Sequence, residues 1–296
     1  MPAAFAGIYP PIATPFDQNE DIDFGALRHN VAKWGQTGLA GLVVLGSNGE
    51  FPLVDDDERD QVISTVVECA RPGLKVIVGT GRESTRATIR MTKRAAELGA
   101  DAAIVINPAY YKGALTESVL YEHYKAVAEE SPLPLLVYNV PPYTGINLSA
   151  GLMARLAKLP NIAGVKDTSA NLVQIADTVR LTPPSFATLA GSANFLLPAL
   201  AVGAQGGILA VANFAPEICL ELAAAFAAGR MDDAKALQHR LMPVHAAVTT
   251  RFGAGGLKAA MEMRGYKGGF PRRPLPRLAP EQREELEKIL AEAGLI

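Results

Sequence analysis

The side chains best suited to covalent chemistry in this sequence stand at the ends of short apolar runs. Lys166 directly follows Asn161-Ile162-Ala163-Gly164-Val165. Burial disfavours the charged form of a lysine, and a neutral amine attacks a ketone to form an imine. The protonated imine then accepts electrons from an adjacent breaking C–C bond. Two readings of Lys166 stand: such a nucleophile, or a lysine with a covered stem whose tip escapes to water. Tyr138 closes the preceding apolar run. Its phenol is either a proton shuttle for the same chemistry or a tyrosine hydrogen-bonded to backbone. Gly46-Ser47-Asn48-Gly49 is a glycine-flanked turn with two short polar side chains. It is suited to hold a carboxylate through the Ser47 hydroxyl and backbone N–H groups, or simply to join a strand to a helix. A serine-hydrolase assignment fails, because the spacing is not G-x-S-x-G and no histidine is placed to activate Ser47. Gly79-Thr80-Gly81 reads as a turn, being a fragment of a dinucleotide fingerprint and no more.

Something must bring these residues together, and the chain repeats one pattern: a short apolar run, a turn, then an amphipathic helix. Strands are expected over residues 8–14, 42–45, 76–78, 102–106, 135–138, 162–165, 187–190 and 208–211. Most are short and continuously apolar, as parallel strands buried on both faces are. Between them, Leu27, Val31 and Trp34 fall on one helix face, as do Val62, Ile63, Val66 and Val67. Asp55 with Glu58 has the form of a capping box, and Ser84 precedes another helix. The strand centres lie roughly 20–35 residues apart, one β–α unit each. Even alternation that closes at eight favours a (β/α)8 TIM barrel over an open doubly wound sheet. After the eighth strand, helices are expected over roughly 214–228, 232–250, 256–264 and 280–293. The reading is a barrel over residues 1–228 and a small C-terminal helical layer over 229–296. In such a barrel the reactive groups sit at the carboxyl ends of strands. Lys166, Tyr138 and the Gly46–Gly49 turn all occupy that position.

Composition narrows the function classes. The 296 residues are 49% hydrophobic and 20% charged, with a formal net charge of −2. That balance gives no basis for a nucleic-acid or anionic-membrane partner. Two cysteines, Cys69 and Cys219, are too few for a disulfide framework, and four scattered histidines form no ligand cluster, so no metal is expected. No apolar run reaches membrane-spanning length. MPAAFAGIYPPIATPF lacks a basic start followed by an apolar core, and a cytoplasmic location is expected.

Taken together, these residues resemble the dihydrodipicolinate synthase/N-acetylneuraminate lyase family of class I aldolases. The resemblance runs nearly end to end. It rests on Pro11…Thr14-Pro15-Phe16, Gly46-Ser47-Asn48-Gly49-Glu50, Tyr110-Tyr111, Tyr138-Asn139-Val140-Pro141, Gly145, Lys166-Asp167 and Gly207-Ile208…Ala212-Asn213. It implies that Lys166 forms a Schiff base with a 2-oxo acid and that Tyr138 relays protons with Ser47. Tyr111 completes that relay by reaching across a subunit interface. The resemblance also implies that Ser47 and Asn48 hold the carboxylate of the pyruvyl part, with the Ile208 carbonyl near the imine. Thr168, Gly191 and Ser192 are further substrate-binding candidates. Neither metal nor organic cofactor is implied, and the assembly implied is a homotetramer, a dimer of dimers.

Within the family, the nearest resemblance is to the 4-hydroxy-2-oxoglutarate aldolases, which release pyruvate and glyoxylate. It is carried by Gly46 through Pro52, Glu83-Ser84-Thr85, Leu189-Ala190-Gly191-Ser192-Ala193, Leu237-Gln238-His239-Arg240-Leu241, and Ala247-Val248-Thr249…Arg251-Phe252-Gly253. Thr168 replaces a serine usual in that group and keeps the hydroxyl. Synthase-type members carry an arginine where this chain has Tyr143, and sialate-cleaving members an acidic pair where it has Ala193-Asn194. A dihydrodipicolinate synthase acting on aspartate semialdehyde, an aldolase or dehydratase of a deoxy-oxo sugar acid, and a catalytically idle 2-oxo-acid-binding paralogue are the competing expectations. Retention of Lys166, Tyr138, Ser47 and Tyr111 together weighs against the last.

Overall fold

A computed structural model of the chain describes residues 3–296. The strands are β1 (Gly7–Tyr9), β2 (Gly41–Val44), β3 (Lys75–Gly79), β4 (Ala102–Ile106), β5 (Leu135–Asn139), β6 (Ile162–Asp167), β7 (Ala187–Ala190) and β8 (Gly206–Ile208). They form one eight-stranded sheet in the order β1-β8-β7-β6-β5-β4-β3-β2. The ends of that order meet. The Ala40 N–H donates to the Ile8 carbonyl at 3.0 Å and the Ile12 N–H to the Val43 carbonyl at 2.9 Å, which ties β1 to β2. The fold is a (β/α)8 barrel.

The helices that follow the strands are α1 (Phe24–Trp34), α2 (Asp56–Cys69), α3 (Thr85–Glu97) and α4 (Glu117–Glu130) in the first half of the chain. Then come α5 (Pro141–Thr144), α6 (Ala150–Leu156), α7 (Leu172–Leu181), α8 (Leu196–Ala201) and α9 (Pro216–Ala227). The chain ends with α10 (Met231–Ala246), α11 (Gly253–Met263) and α12 (Pro280–Glu292). Among the described residues, no helix is long and apolar enough to cross a membrane.

The chain forms two compact units: one comprises the segment ending at Gly7 with Ile77–Ile208, the other Ile8–Val76 with Leu209–Ile296. In the first, β4 to β7 pair in parallel and are almost wholly buried, so their apolar runs face neighbours on both sides. Ser84 caps α3 by accepting from the Ala87 N–H at 3.1 Å. In the second, Leu27, Val31 and Trp34 of α1 are fully buried, each side chain worth about 1.5–3 kcal/mol. Trp34 stacks on Tyr266 and donates its indole N–H to the Asn213 carbonyl at 3.0 Å. Asp55 and Glu58 form the capping box of α2.

Three strands end two or more residues away from expectation, and the ends of the others shift by one residue at most. The first strand ends at Tyr9 because Pro10 and Pro11 have no N–H to pair; Pro11 keeps a single bridge to Val43. The last strand ends at Ile208, and residues 210–213 form a 3-10 turn. The Asn213 side chain takes over the pairing there: it accepts from the Ala13 N–H and donates to the Pro11 and Ala210 carbonyls, each at 3.0 Å. In the opposite sense, β6 runs past Val165, so Lys166 and Asp167 belong to the strand itself.

His123 of α4 and His245 of α10 are buried, and desolvation pulls both down to about 4; Glu83 opposes the shift at His123. A histidine held neutral below its unfolded pKa leaves the unfolded chain with more bound protons between pH 4 and 6.5. Its stabilisation is therefore complete above pH 6.5 and is lost as pH falls to about 4, roughly 3 kcal/mol for each histidine. Urea denaturation across that window is expected to show a shallower pH slope for His123→Gln than for the parent chain. Equal slopes would show that His123 takes up its proton as readily in the folded protein as in the unfolded chain.

Candidate active site

At the end of β6, the strand's two-residue period sends Lys166 and Asp167 to opposite sides of the sheet. The register with β5 aligns Tyr138 with Lys166 and Asn139 with Asp167. Each pair therefore shares a side. Lys166 Nζ lies 4.0 Å from the centre of the Tyr138 ring, and the lysine is 4% exposed. A cation over an aromatic face is an attractive contact, and it keeps the amine beside the phenol. Of the residues singled out from the sequence, these two are brought into direct contact.

On the helix side of the sheet, Asp167 anchors a buried amide network. Its Oδ2 accepts from Asn139 Nδ2 at 3.1 Å and from Gln174 Nε2 of α7 at 2.9 Å; its Oδ1 accepts from the Ser169 N–H at 2.7 Å. Asn147 joins in, accepting from Asn139 at 3.0 Å and Gln174 at 3.2 Å and donating to Gln174 Oε1 at 2.7 Å. Asn139 Oδ1 receives the Leu148 N–H at 3.0 Å. This network fixes the strand end that carries Lys166, and sequence reasoning did not assign it. A signal was present: polar residues follow both Tyr138 and Lys166, where period two demands that they point away from them.

Thr168 and Gly191 also meet. A Cβ at Gly191 would lie 2.0 Å from Thr168 Oγ1 and 2.8 Å from the Asp167 carbonyl, so no side chain fits there. The Gly191 N–H donates to that carbonyl at 2.7 Å, and Thr168 Oγ1 is buried without a hydrogen-bond partner. Ser192 is buried and accepts from the Asn194 N–H at 3.2 Å. Ile208 is fully buried at the end of β8. Tyr111 is 75% exposed and packs edge-to-face on Tyr110. Their loop is held by the Glu83 carboxylate, which accepts the Ala109 and Tyr110 N–H groups. Tyr143 follows β5 in α5 and is 71% exposed. Partial burial and the nearby Tyr138 raise its phenol above the ordinary value.

In the second unit, Ser47 and Asn48 sit in a 3-10 turn, Ser47–Gly49, that follows β2. The next residue, Glu50, is buried and pairs with Lys258 Nζ of α11 at 2.5 Å. Desolvation brings the Lys258 ammonium down to about 8 despite the opposing pull of Glu50. Arg272 donates its backbone N–H to Glu50 Oε2 at 2.8 Å and grips Glu58 with both ends of its guanidinium at 2.6 Å. Sequence reasoning missed Lys258 because it lies in a helical stretch with no nearby motif. Among the described residues, no group of three or more His, Cys, Asp or Glu stands together in a way that could hold a metal ion.

Comparison with known proteins gives a consistent picture. The model of the Dihydrodipicolinate synthetase family matches residues 4–293. The chain is 38% identical over 292 residues to the 4-hydroxy-tetrahydrodipicolinate synthase of Syntrophus aciditrophicus, covering 99% of each. Among solved structures, dihydrodipicolinate synthase DapA-2 of Bacillus anthracis superposes with a TM-score of 0.94 at 32% identity, over 98% of both chains. YagE, a prophage protein of Escherichia coli K12 solved in complex with pyruvate, gives 0.93 at 29% identity over 99% of this chain and 100% of its own.

The amide network makes a stability prediction. Asp167→Ala strands three donors, two of them buried, and is expected to destabilise the protein by about 3 kcal/mol, roughly one for each lost hydrogen bond. Asp167→Asn keeps an acceptor for two of them and should lose about a third as much. Urea denaturation of both variants checks this, and equal losses would show that the network does not hold the strand end.

Proposed function

We propose a substrate for an enzyme of known class: the chain belongs to the dihydrodipicolinate synthetase family and is a lyase of the pyruvate-dependent class I aldolase type. On this reading it cleaves 4-hydroxy-2-oxoglutarate, or a close 2-oxo acid, to pyruvate and an aldehyde such as glyoxylate. The observation that carries it is Lys166, buried at the carboxyl end of β6 with its amine against Tyr138.

Lys166 Nζ adds to the C2 ketone to give a carbinolamine; Tyr138 gives its phenol proton to the departing hydroxyl, so that water leaves and an iminium and a tyrosinate remain. Tyr138 accepts the proton of the C4 hydroxyl; the C3–C4 bond breaks, its electron pair enters the iminium to form an enamine, and the aldehyde departs. Protonation at C3 and addition of water then release pyruvate and the free lysine. Ser47 and Tyr111 complete the proton relay, and Ser47 with Asn48 holds the pyruvyl carboxylate. Thr168, Gly191, Ser192 and the Ile208 carbonyl border the substrate, and the unpartnered Thr168 hydroxyl suits a substrate oxygen. The reaction needs neither metal nor organic cofactor.

Tyr143 supports the aldolase over the synthase reading, since it offers a neutral phenol where synthase-type members have an arginine for the semialdehyde carboxylate. The synthase reading is the alternative, favoured by the names of the relatives. Exposure of Tyr111 supports its donation to a second copy, in a homotetramer built as a dimer of dimers. A cytoplasmic location completes the proposal.

Borohydride treatment with pyruvate, followed by peptide mapping, is expected to place the adduct on Lys166. Lys166→Ala should abolish it and lower turnover on the order of a thousandfold or more. Turnover with glyoxylate but not aspartate semialdehyde supports the aldolase; the reverse assigns the synthase. Tyr111→Phe should lower kcat by about a hundredfold. A fully active monomer in native mass spectrometry would overturn its role across an interface.

A further inference from the structure

The turn that bears Ser47 and Asn48 is bent against the preference of its own backbone. Leu45 (φ 55°) and Glu50 (φ 56°) bracket it, and both are left-handed although neither is glycine. Such residues persist where their surroundings over-determine them. At Glu50 the surroundings are explicit. One carboxylate oxygen meets Lys258 Nζ at 2.5 Å and the other receives the Arg272 N–H at 2.8 Å. Lys258 Nζ is itself fixed, donating to the Phe270 carbonyl at 2.6 Å and lying 4.6 Å from the centre of the Phe16 ring. The Thr14 hydroxyl adds a further tie by donating to the Gly49 carbonyl at 2.8 Å.

We propose that Lys258 is a positioning residue for the carboxylate end of the substrate: its ion pair with Glu50 holds the turn in the shape in which Ser47 and Asn48 receive that carboxylate. The inference rests on the reading that these two residues bind it. A buried ion pair is a poor source of stability, because desolvation of both charges offsets their attraction, and apolar side chains fill the same space as well. What the pair adds is direction. The Glu50 and Lys258 side chains are 0% and 2% exposed, and an ion-pair contact from Lys258 on one carboxylate oxygen and the Arg272 N–H on the other hold Glu50 from two different segments. Lys258 thereby brings α11 into the function of a turn that follows β2.

The test is the fraction of full-length enzyme trapped on Lys166 by borohydride as pyruvate is titrated. It compares the parent chain with Lys258→Met and with the double variant Glu50→Gln, Lys258→Met. The double variant removes both charges and leaves no buried carboxylate unpaired. The pyruvate concentration for half-maximal trapping is expected to rise about tenfold or more in both, with the plateau unchanged. A merely structural role lowers the plateau, by reducing the folded fraction, and leaves the midpoint where it was. If neither variant folds, Thr14→Val loosens the same turn without touching a charge and is expected to move the midpoint in the same direction. An unmoved midpoint in folded variants overturns the proposal. Absence of any Lys166 adduct in the parent chain overturns the aldolase reading and the proposal with it.

Discussion

The two-residue period of β6 separates Lys166 from Asp167, and the candidate site depends on that separation. One side chain faces Tyr138; the next faces α7 and closes a network with Asn139, Asn147 and Gln174. A one-residue slip of β6 against β5 would exchange the two, placing a carboxylate beside Tyr138 and an ammonium among amides. The network resists such a slip because its donors match a carboxylate and not a cation. The polar contacts on the helix side of the sheet therefore specify what stands on the other side.

The turn after β2 follows the same logic with charges in place of amides. Ser47 and Asn48 sit in a turn that leads into Glu50, and Glu50 leaves that turn for a buried cluster with Lys258 and Arg272. In both places the residue proposed to meet substrate is held by a residue within three positions along the chain whose polar group is buried. Burial makes those contacts directional and makes an unpaired member costly, which is what positioning requires.

Much of this was legible in the sequence. The continuous apolar runs ending in Tyr138 and Val165 marked parallel strands, and reactive groups at their ends follow from the barrel. Helix faces such as Leu27, Val31 and Trp34 were readable because 3.6-residue spacing is local. The misread boundaries were those where a side chain or a missing N–H overrides the apolar pattern: Pro10 and Pro11 cut the first strand short, and Asn213 replaces pairing in the last. Apolar character alone does not say whether backbone or side chain will satisfy a carbonyl.

The sequence by itself determined the order and type of the elements and the identity of Lys166 and Tyr138 as chemical groups, because periodicity and side-chain chemistry are properties of neighbours along the chain. Only the tertiary structure decided that Gln174 and Asn147 serve Asp167, and that Lys258 serves Glu50 from 208 residues away. Those partnerships are set by strand register and by which buried donor finds which acceptor once water is excluded. Nothing in local spacing encodes that choice.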